Sequence, residues 1–215
     1  MALQYEILPV THFAQNCTLL WCDETRQAAL VDPGGEAQRL LARVAAKGLE
    51  LSQIWLTHGH LDHVGAAAAV AAASGAAIIG PHRDDQFLLD SLPQQSQMFG
   101  FPFTAPLTPS RWLTVEDTLI LGNETLTIRH CPGHTPGHLV FYHDASALLI
   151  VGDVLFAGSI GRTDFPRGNH ADLLNSIRTQ LWPLADEVKV LPGHGPATTI
   201  GRERRTNPFL MEDPY

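Results

Sequence analysis

The sequence predicts an α/β protein with sheets packed against helices, and three observations lead there. Apolar runs of strand length recur along the chain, among them "NCTLLWC", "ALLIVGD" and "EVKVLPGH". Segments of helical period stand between them, most clearly at residues 36–47. No low-complexity linker and no run of charge interrupts the 215 residues, so residues 1–215 read as one domain.

The first third alternates strands and turns: "YEILPV", "NCTLLWC" and "QAALVDPGG". Residues 36–47 follow as an amphipathic helix, with Ala37, Leu40, Leu41, Val44 and Ala45 on one stripe and Gly48 ending it. "QIWLTH" is a buried strand. Residues 64–81 contain only Ser74 as a clearly polar residue, and 18 residues is a length at which a membrane span is considered. Alanine and glycine drive insertion weakly, and Gly75 and Gly80-Pro81 break the run. It is expected to be a buried small-residue helix followed by a short strand, "AAII". The strands "LTIRHC", "LVFYH", "ALLIVGD" and "EVKVLPGH" come later. A helix from about Ala171 turns Leu173, Leu174, Ile177 and Leu181 to one face, with Asn169 as its cap and Pro183 as its stop.

Composition is that of a soluble globular protein, 45% hydrophobic and 17% charged. A net charge of −8 argues against nucleic acid or an anionic membrane as partner, and two bound divalent cations would reduce it to −4. The three cysteines form no C-x-x-C pair, and Cys17 and Cys22 point to opposite faces of one strand. Reduced thiols, and an N-terminus without a basic region leading into an apolar run, give the expectation of a cytoplasmic protein.

The chemistry is concentrated at strand ends. "LTHGHLDHVG", residues 56–65, carries three histidines and one aspartate between two apolar segments, and packing alone gives no reason for that. "IRHCPGHTPGH", "LLIVGD" and "VKVLPGHG" also place polar residues where an apolar strand stops. Strand ends along one sheet edge can converge, so the candidate set is His58, His60, Asp62, His63, His134, Asp153 and His194. Five imidazoles and two carboxylates suit zinc first, with iron or manganese as alternatives. Seven donors exceed the needs of one tetrahedral ion and fit two. Isolated histidines such as His12, His82 and His143 are expected to be separate core or surface residues, and Cys131 a buried thiol rather than a nucleophile.

"THGHLDH", "PGHTPGH", "GDVLF" and "LPGHG" resemble, in order and spacing, the metal motifs of the metallo-β-lactamase fold superfamily, over a span from "LVDPGG" to His194. The resemblance implies a four-layer αββα sandwich. It assigns His58, His60 and His134 to one ion, Asp62, His63 and His194 to the other, and Asp153 as the bridge. Asp62 and Asp153 thereby become catalytic carboxylates, setting the net charge that acidifies a bound water. Asp32 would brace the histidine loop; on the residues alone it is equally a turn-former before Pro33-Gly34.

Within that superfamily the true β-lactamases replace either the final histidine of the first motif or the bridging aspartate. His63 and Asp153 are both present here, so a β-lactam substrate is not expected. Nuclease branches carry large extra domains, and 215 residues leave no room for one. "GDVLFAGSIGRTDFPRG" is similar to the hydroxyacylglutathione hydrolases (glyoxalase II), and Arg162 stands where that family has a basic residue touching glutathione. The implied activity is hydrolysis of a glutathione thioester, such as S-lactoylglutathione, by a metal-bound hydroxide. Only 21 residues follow His194, so the helical domain that grips glutathione in longer members is expected to be absent. Two other enzymes of the superfamily are alternatives: an iron-dependent persulfide dioxygenase, which "GRTDF" also resembles, and a lactonase. A non-enzymatic metal-binding module is the alternative from another class, and a purely structural site would need only four closed ligands. Arg202, Arg204 and Arg205 of "GRERRTNPFL" are expected to face solvent.

Overall fold

Period-two alternation builds two faces on each strand, and both faces are buried here. In β2 (Gln15–Cys22) every residue is buried. Cys17, Leu19 and Trp21 join a core that includes Leu40 and Val44 of α1 (Ala37–Ala46), while Leu20 joins a second core with Trp55 and Phe141. The structure, a computed structural model, describes residues 3–211.

The first sheet runs β1 (Leu3–Val10), β2, β3 (Gln27–Val31), β4 (Glu50–Trp55) and β5 (Ala77–Ile79), in that order. β1, β2 and β3 are antiparallel neighbours, and β3, β4 and β5 run parallel. The second sheet is built from β6 (Thr118–Leu121), β7 (Glu124–His130), β8 (Leu139–His143), β9 (Leu148–Gly152), β12 (Lys189–Pro192) and β13 (Thr198–Thr199). A small hairpin of β10 (Leu155–Phe156) and β11 (Ser159–Ile160) follows β9. β6 to β9 form an antiparallel meander, and β12 lies parallel to β9.

Three apolar cores fill the spaces between four layers. The middle one joins the sheets through residues such as Leu20, Val31, Trp55, Leu126, Phe141 and Ile150. A second lies under α1 and α3 (Ala67–Ser74). The third holds Leu149, Val151, Leu173 and Ile177 beneath α6 (His170–Ser176). This is the expected αββα sandwich.

The elements follow the sequence closely, with three differences. The alanine run does form a helix and then β5, but only Ala67 and Val70 are buried in that helix, and Ala68, Ala69, Ala72 and Ala73 face solvent. Among the described residues no helix is long and apolar enough to cross a membrane. Asn169 caps α6 by accepting from the Asp172 amide at 3.2 Å, and the helix runs to Leu181 before Pro183 as expected, but its last stretch, Ile177–Leu181, is π-helical. Three further helices were not evident in the pattern: α4 (Gln86–Asp90), α5 (Leu92–Phe99) and α7 (Ile200–Thr206), the last capped by Thr199. β3, β4, β7, β9 and β12 all end on one edge of the sandwich, because β7 is antiparallel to β8 and β8 to β9.

Candidate metal centre

That edge collects the polar motifs. β4 stops at Trp55, and a single helical turn, α2 (Leu61–Val64), carries Asp62 and His63. Gly59, between His58 and His60, lets this loop lie against its neighbours: a Cβ there would meet Leu88 Cβ at 2.8 Å. His134 follows β7, Asp153 follows β9 and His194 follows β12. Of the seven candidates, His58, His60, His63, His134 and Asp153 are buried, and Asp62 and His194 are partly so.

The seven side chains converge as two trios with a carboxylate between. His58, His60 and His134 bring ligand atoms within 4.8 Å of one another, and so do Asp62, His63 and His194. His60 Nδ1 lies 3.0 Å from His134 Nε2, and His194 Nε2 lies 3.1 Å from Asp62 Oδ2. Asp153 Oδ1 is 3.4 Å from His63 Nε2, and its Oδ2 is 3.7 Å from both His134 Nε2 and His194 Nε2. Ligands held at 2.0–2.2 Å around a tetrahedral ion sit roughly 3.3 Å apart, so these separations suit coordination.

Tautomers point the same way. His63 Nδ1 is 2.9 Å from Asp32 Oδ2, His134 Nδ1 2.7 Å from the Arg162 carbonyl, and His194 Nδ1 3.3 Å from the Phe13 carbonyl. Thr57 Oγ1 donates to Asp32 Oδ2 at 2.6 Å, so it accepts from His58 Nδ1 at 2.9 Å. In each of these four rings Nδ1 carries a proton and Nε2 is turned toward the cluster. Among the described residues, His58 Nε2, His63 Nε2 and Asp153 Oδ1 are buried without a hydrogen-bond partner. Buried polar atoms without a partner are costly, and a cation would satisfy all three.

A family model of the metallo-beta-lactamase superfamily matches residues 10–194. The chain belongs to the metallo-beta-lactamase superfamily. It is 50% identical over 209 residues to the hydroxyacylglutathione hydrolase GloC of Haemophilus influenzae, covering 97% of this chain and 98% of that one. Among solved structures, the BLEG-1 B3 metallo-beta-lactamase is 37% identical with a TM-score of 0.89, covering 96% of this chain and 99% of that one. TTHA1623, crystallised in a di-iron-bound form, is 36% identical with a TM-score of 0.87, covering 95% and 100%.

Electrostatics separate the histidines of this superfamily member. Burial pushes His58 well below the ordinary imidazole range and His60 down to about 3, so both are neutral. Burial also lowers His134, although Asp153 works against it. His63 and His194 run the other way. Burial would lower each, but the carboxylates of Asp153 and Asp62 hold His63 well above its usual value, and a hydrogen bond with Asp62, together with the charge of Asp153, raises His194. Asp153 is lowered in return, chiefly by His63, against a burial that would raise it.

Three residues hold the donors in place. Asp32, at φ 52°, accepts from the Thr57 amide at 2.8 Å as well as from Thr57 Oγ1 and His63. His138, the last residue of "PGHTPGH", is fully buried, stacks on His58 with centroids 4.6 Å apart, and accepts from the Asp153 amide at 3.0 Å. Asp85 ties the two histidine loops together. It accepts from the Gly59 amide at 3.0 Å, Thr135 Oγ1 at 2.8 Å and the Gly137 amide at 2.6 Å. Nothing in "PHRDDQF" marks it as different from Asp84.

Arg162 lines the mouth of the cavity over the donors, but its guanidinium already pairs with Asp164 through two bonds of 2.9 and 2.7 Å and lies over Phe165. Arg204 and Arg205 both pair with Asp186, away from the cavity, and the Arg202 side chain is 66% exposed. Cys131 is fully buried, which pushes its thiol up to about 12 and removes it as a nucleophile.

Proposed function

We propose that this protein hydrolyses glutathione thioesters at a centre of two divalent ions, zinc by preference. The observation that carries this is the pair of donor trios with Asp153 between them. The 50% identity to a hydroxyacylglutathione hydrolase supports the substrate class, and a di-iron relative supports the count of two.

His58 Nε2, His60 Nδ1 and His134 Nε2 would hold one ion, and Asp62, His63 Nε2 and His194 Nε2 the other, with Asp153 facing both sets. When bound, such ions supply Lewis-acid charge that acidifies a water and stabilises an oxyanion on the attacked carbonyl. Asp62 and Asp153 temper that charge and keep the imidazoles oriented. Asp32 and Thr57 fix the ring protons on the far side from the cluster. Arg162, once freed from Asp164, is the cation for a glutathione carboxylate. Three buried free cysteines support a reducing compartment, and we place the protein in the cytoplasm.

The test is an activity panel on protein of measured metal content. It comprises S-lactoylglutathione, a homoserine lactone, glutathione persulfide with oxygen monitored, and a chromogenic β-lactam. The β-lactam is a second reading, favoured by the similarity to a structure named as a B3 metallo-beta-lactamase. Thiol is expected to appear in step with acid, without oxygen uptake. Oxygen consumption with persulfide and no thiol from any thioester would sink the proposal.

A further inference from the structure

The cavity over the donors has a volume of about 350 Å³, and its lining ties differently to the two trios. Phe13, Phe99 and Phe101 form an aromatic wall, with Phe13 centroids 5.1 Å from Phe101 and 6.0 Å from Phe99. Met98, 75% exposed, extends it. The loop bearing Phe13 is tied to the second trio, since His194 Nδ1 donates to the Phe13 carbonyl. Arg162 is the only cation lining the cavity among the described residues. It is tied to the first trio, since His134 Nδ1 donates to the Arg162 carbonyl. A substrate lying across the two trios therefore meets Arg162, with Phe165 beneath it, beside the first trio, and the rings of Phe13, Phe99 and Phe101 beyond the second.

Phe101 packs against the core under α1 and α3, but core packing does not explain Phe13 or Phe99. Phe13 is 40% exposed, and its ring, like those of Phe99 and Phe101, borders the cavity. Exposed aromatic surface in a concave site is characteristic of ligand recognition. Glutathione, with two carboxylates, belongs beside Arg162. The acyl group is then left facing the rings, and a lactoyl group offers them one methyl and a hydroxyl.

We propose that the aromatic wall is an acyl pocket, and that thioesters with an aryl-substituted acyl group are preferred over the lactoyl thioester. This rests on the glutathione-thioester reading. Water adds across the acyl C–S bond, the C–O bond forms as the C–S bond breaks, and an aryl-substituted acid and free glutathione leave.

S-mandeloylglutathione and S-lactoylglutathione differ only by phenyl for methyl, so their ratio of kcat/KM isolates the wall. Each rate is first divided by its hydroxide-catalysed rate in solution. Even one methylene in an apolar pocket is worth about tenfold or more, so the ratio is expected to favour mandeloyl at least tenfold, mostly in KM. Phe13→Ala and Phe99→Ala should each lower the ratio severalfold, and Phe13→Leu should retain most of it. A ratio taken on one preparation is independent of folded fraction and metal loading. A ratio of one or below, or one unmoved by both alanine variants, overturns the acyl pocket while thioester hydrolysis stands. Absence of turnover with both thioesters, beside turnover of β-lactam or persulfide, overturns the underlying reading and the pocket with it.

Discussion

Asp32 fulfils at once two roles that the sequence presents as rivals. It occupies the left-handed region before Pro33, as a turn-former would, and its carboxylate braces Thr57 and His63. Asp85 is the less expected member of the site. Burial outweighs its three hydrogen bonds and pushes its carboxyl up to about 6 from an ordinary value of 3.8. A folded-state value above the unfolded one adds stability that is complete below pH 3.8 and is lost as pH rises through about 6. The interval corresponds to about 3 kcal/mol. In chelated protein, the stability advantage over the non-titrating Asp85→Asn should therefore shrink between pH 4 and pH 7, as read by denaturant unfolding. A flat difference would mean that Asp85 titrates normally. Arg162 and Asp164 offer a second test, because substrate must compete with their ion pair. Arg162→Ala should raise KM for a glutathione thioester about two- to fivefold, the scale of an exposed ion pair, and Asp164→Asn should lower it. Movement of both variants in the same direction would assign Arg162 to shaping the loop.

At the scale of elements, the histidine turn α2 is positioned by close backbone approach. A Cβ on Gly34 would stand 1.5 Å from the Asp62 carbonyl oxygen, and one on Gly65 would stand 2.6 Å from the Gly34 carbonyl. Gly34→Ala must therefore displace the turn that carries Asp62 and His63. Its expected outcome is a fall in metal per chain by elemental analysis and a loss of about 1–3 kcal/mol or more in stability. Gly48→Ala is the control: it has φ 61° but nothing within 4 Å, so it should cost about 1–2 kcal/mol and leave metal content alone. The same local view explains what could be read from the sequence. H-x-H-x-D-H was legible because one loop supplies four donors in six positions, and "LVFYH" because alternation and length define a buried strand. α4 and α5 were not, because each is short and Pro93 and Ser91 lie between their apolar residues. The aromatic wall was hidden with them, since Phe99 and Phe101 meet Phe13 from 86 and 88 positions away. Asp85 and His138 owe their importance to burial and to partners in other loops, neither of which local pattern encodes.

The whole molecule has its two sheets joined by an apolar middle core and by the polar edge where β4, β7, β9 and β12 end. Cations bound only in the folded state add stability by mass action, about 2.7 kcal/mol per site at a hundred times Kd. For a chain of 215 residues that corresponds to about 5–10 °C in Tm per site. Chelation should lower Tm by at least that much and added zinc should restore it, whereas an unchanged Tm would argue against cations at this edge. The donor trios have one further property. His58 and His60 precede the long connection at residues 80–117 and His134 follows it; Asp62 and His63 precede it and His194 follows. Each trio is thus divided two to one between the halves of the chain, and neither half owns a complete set. Severed in that connection, the two fragments would still meet through the apolar middle core, but each donor trio would be complete only in the rejoined pair, so divalent cation would act as a clasp that tightens their union.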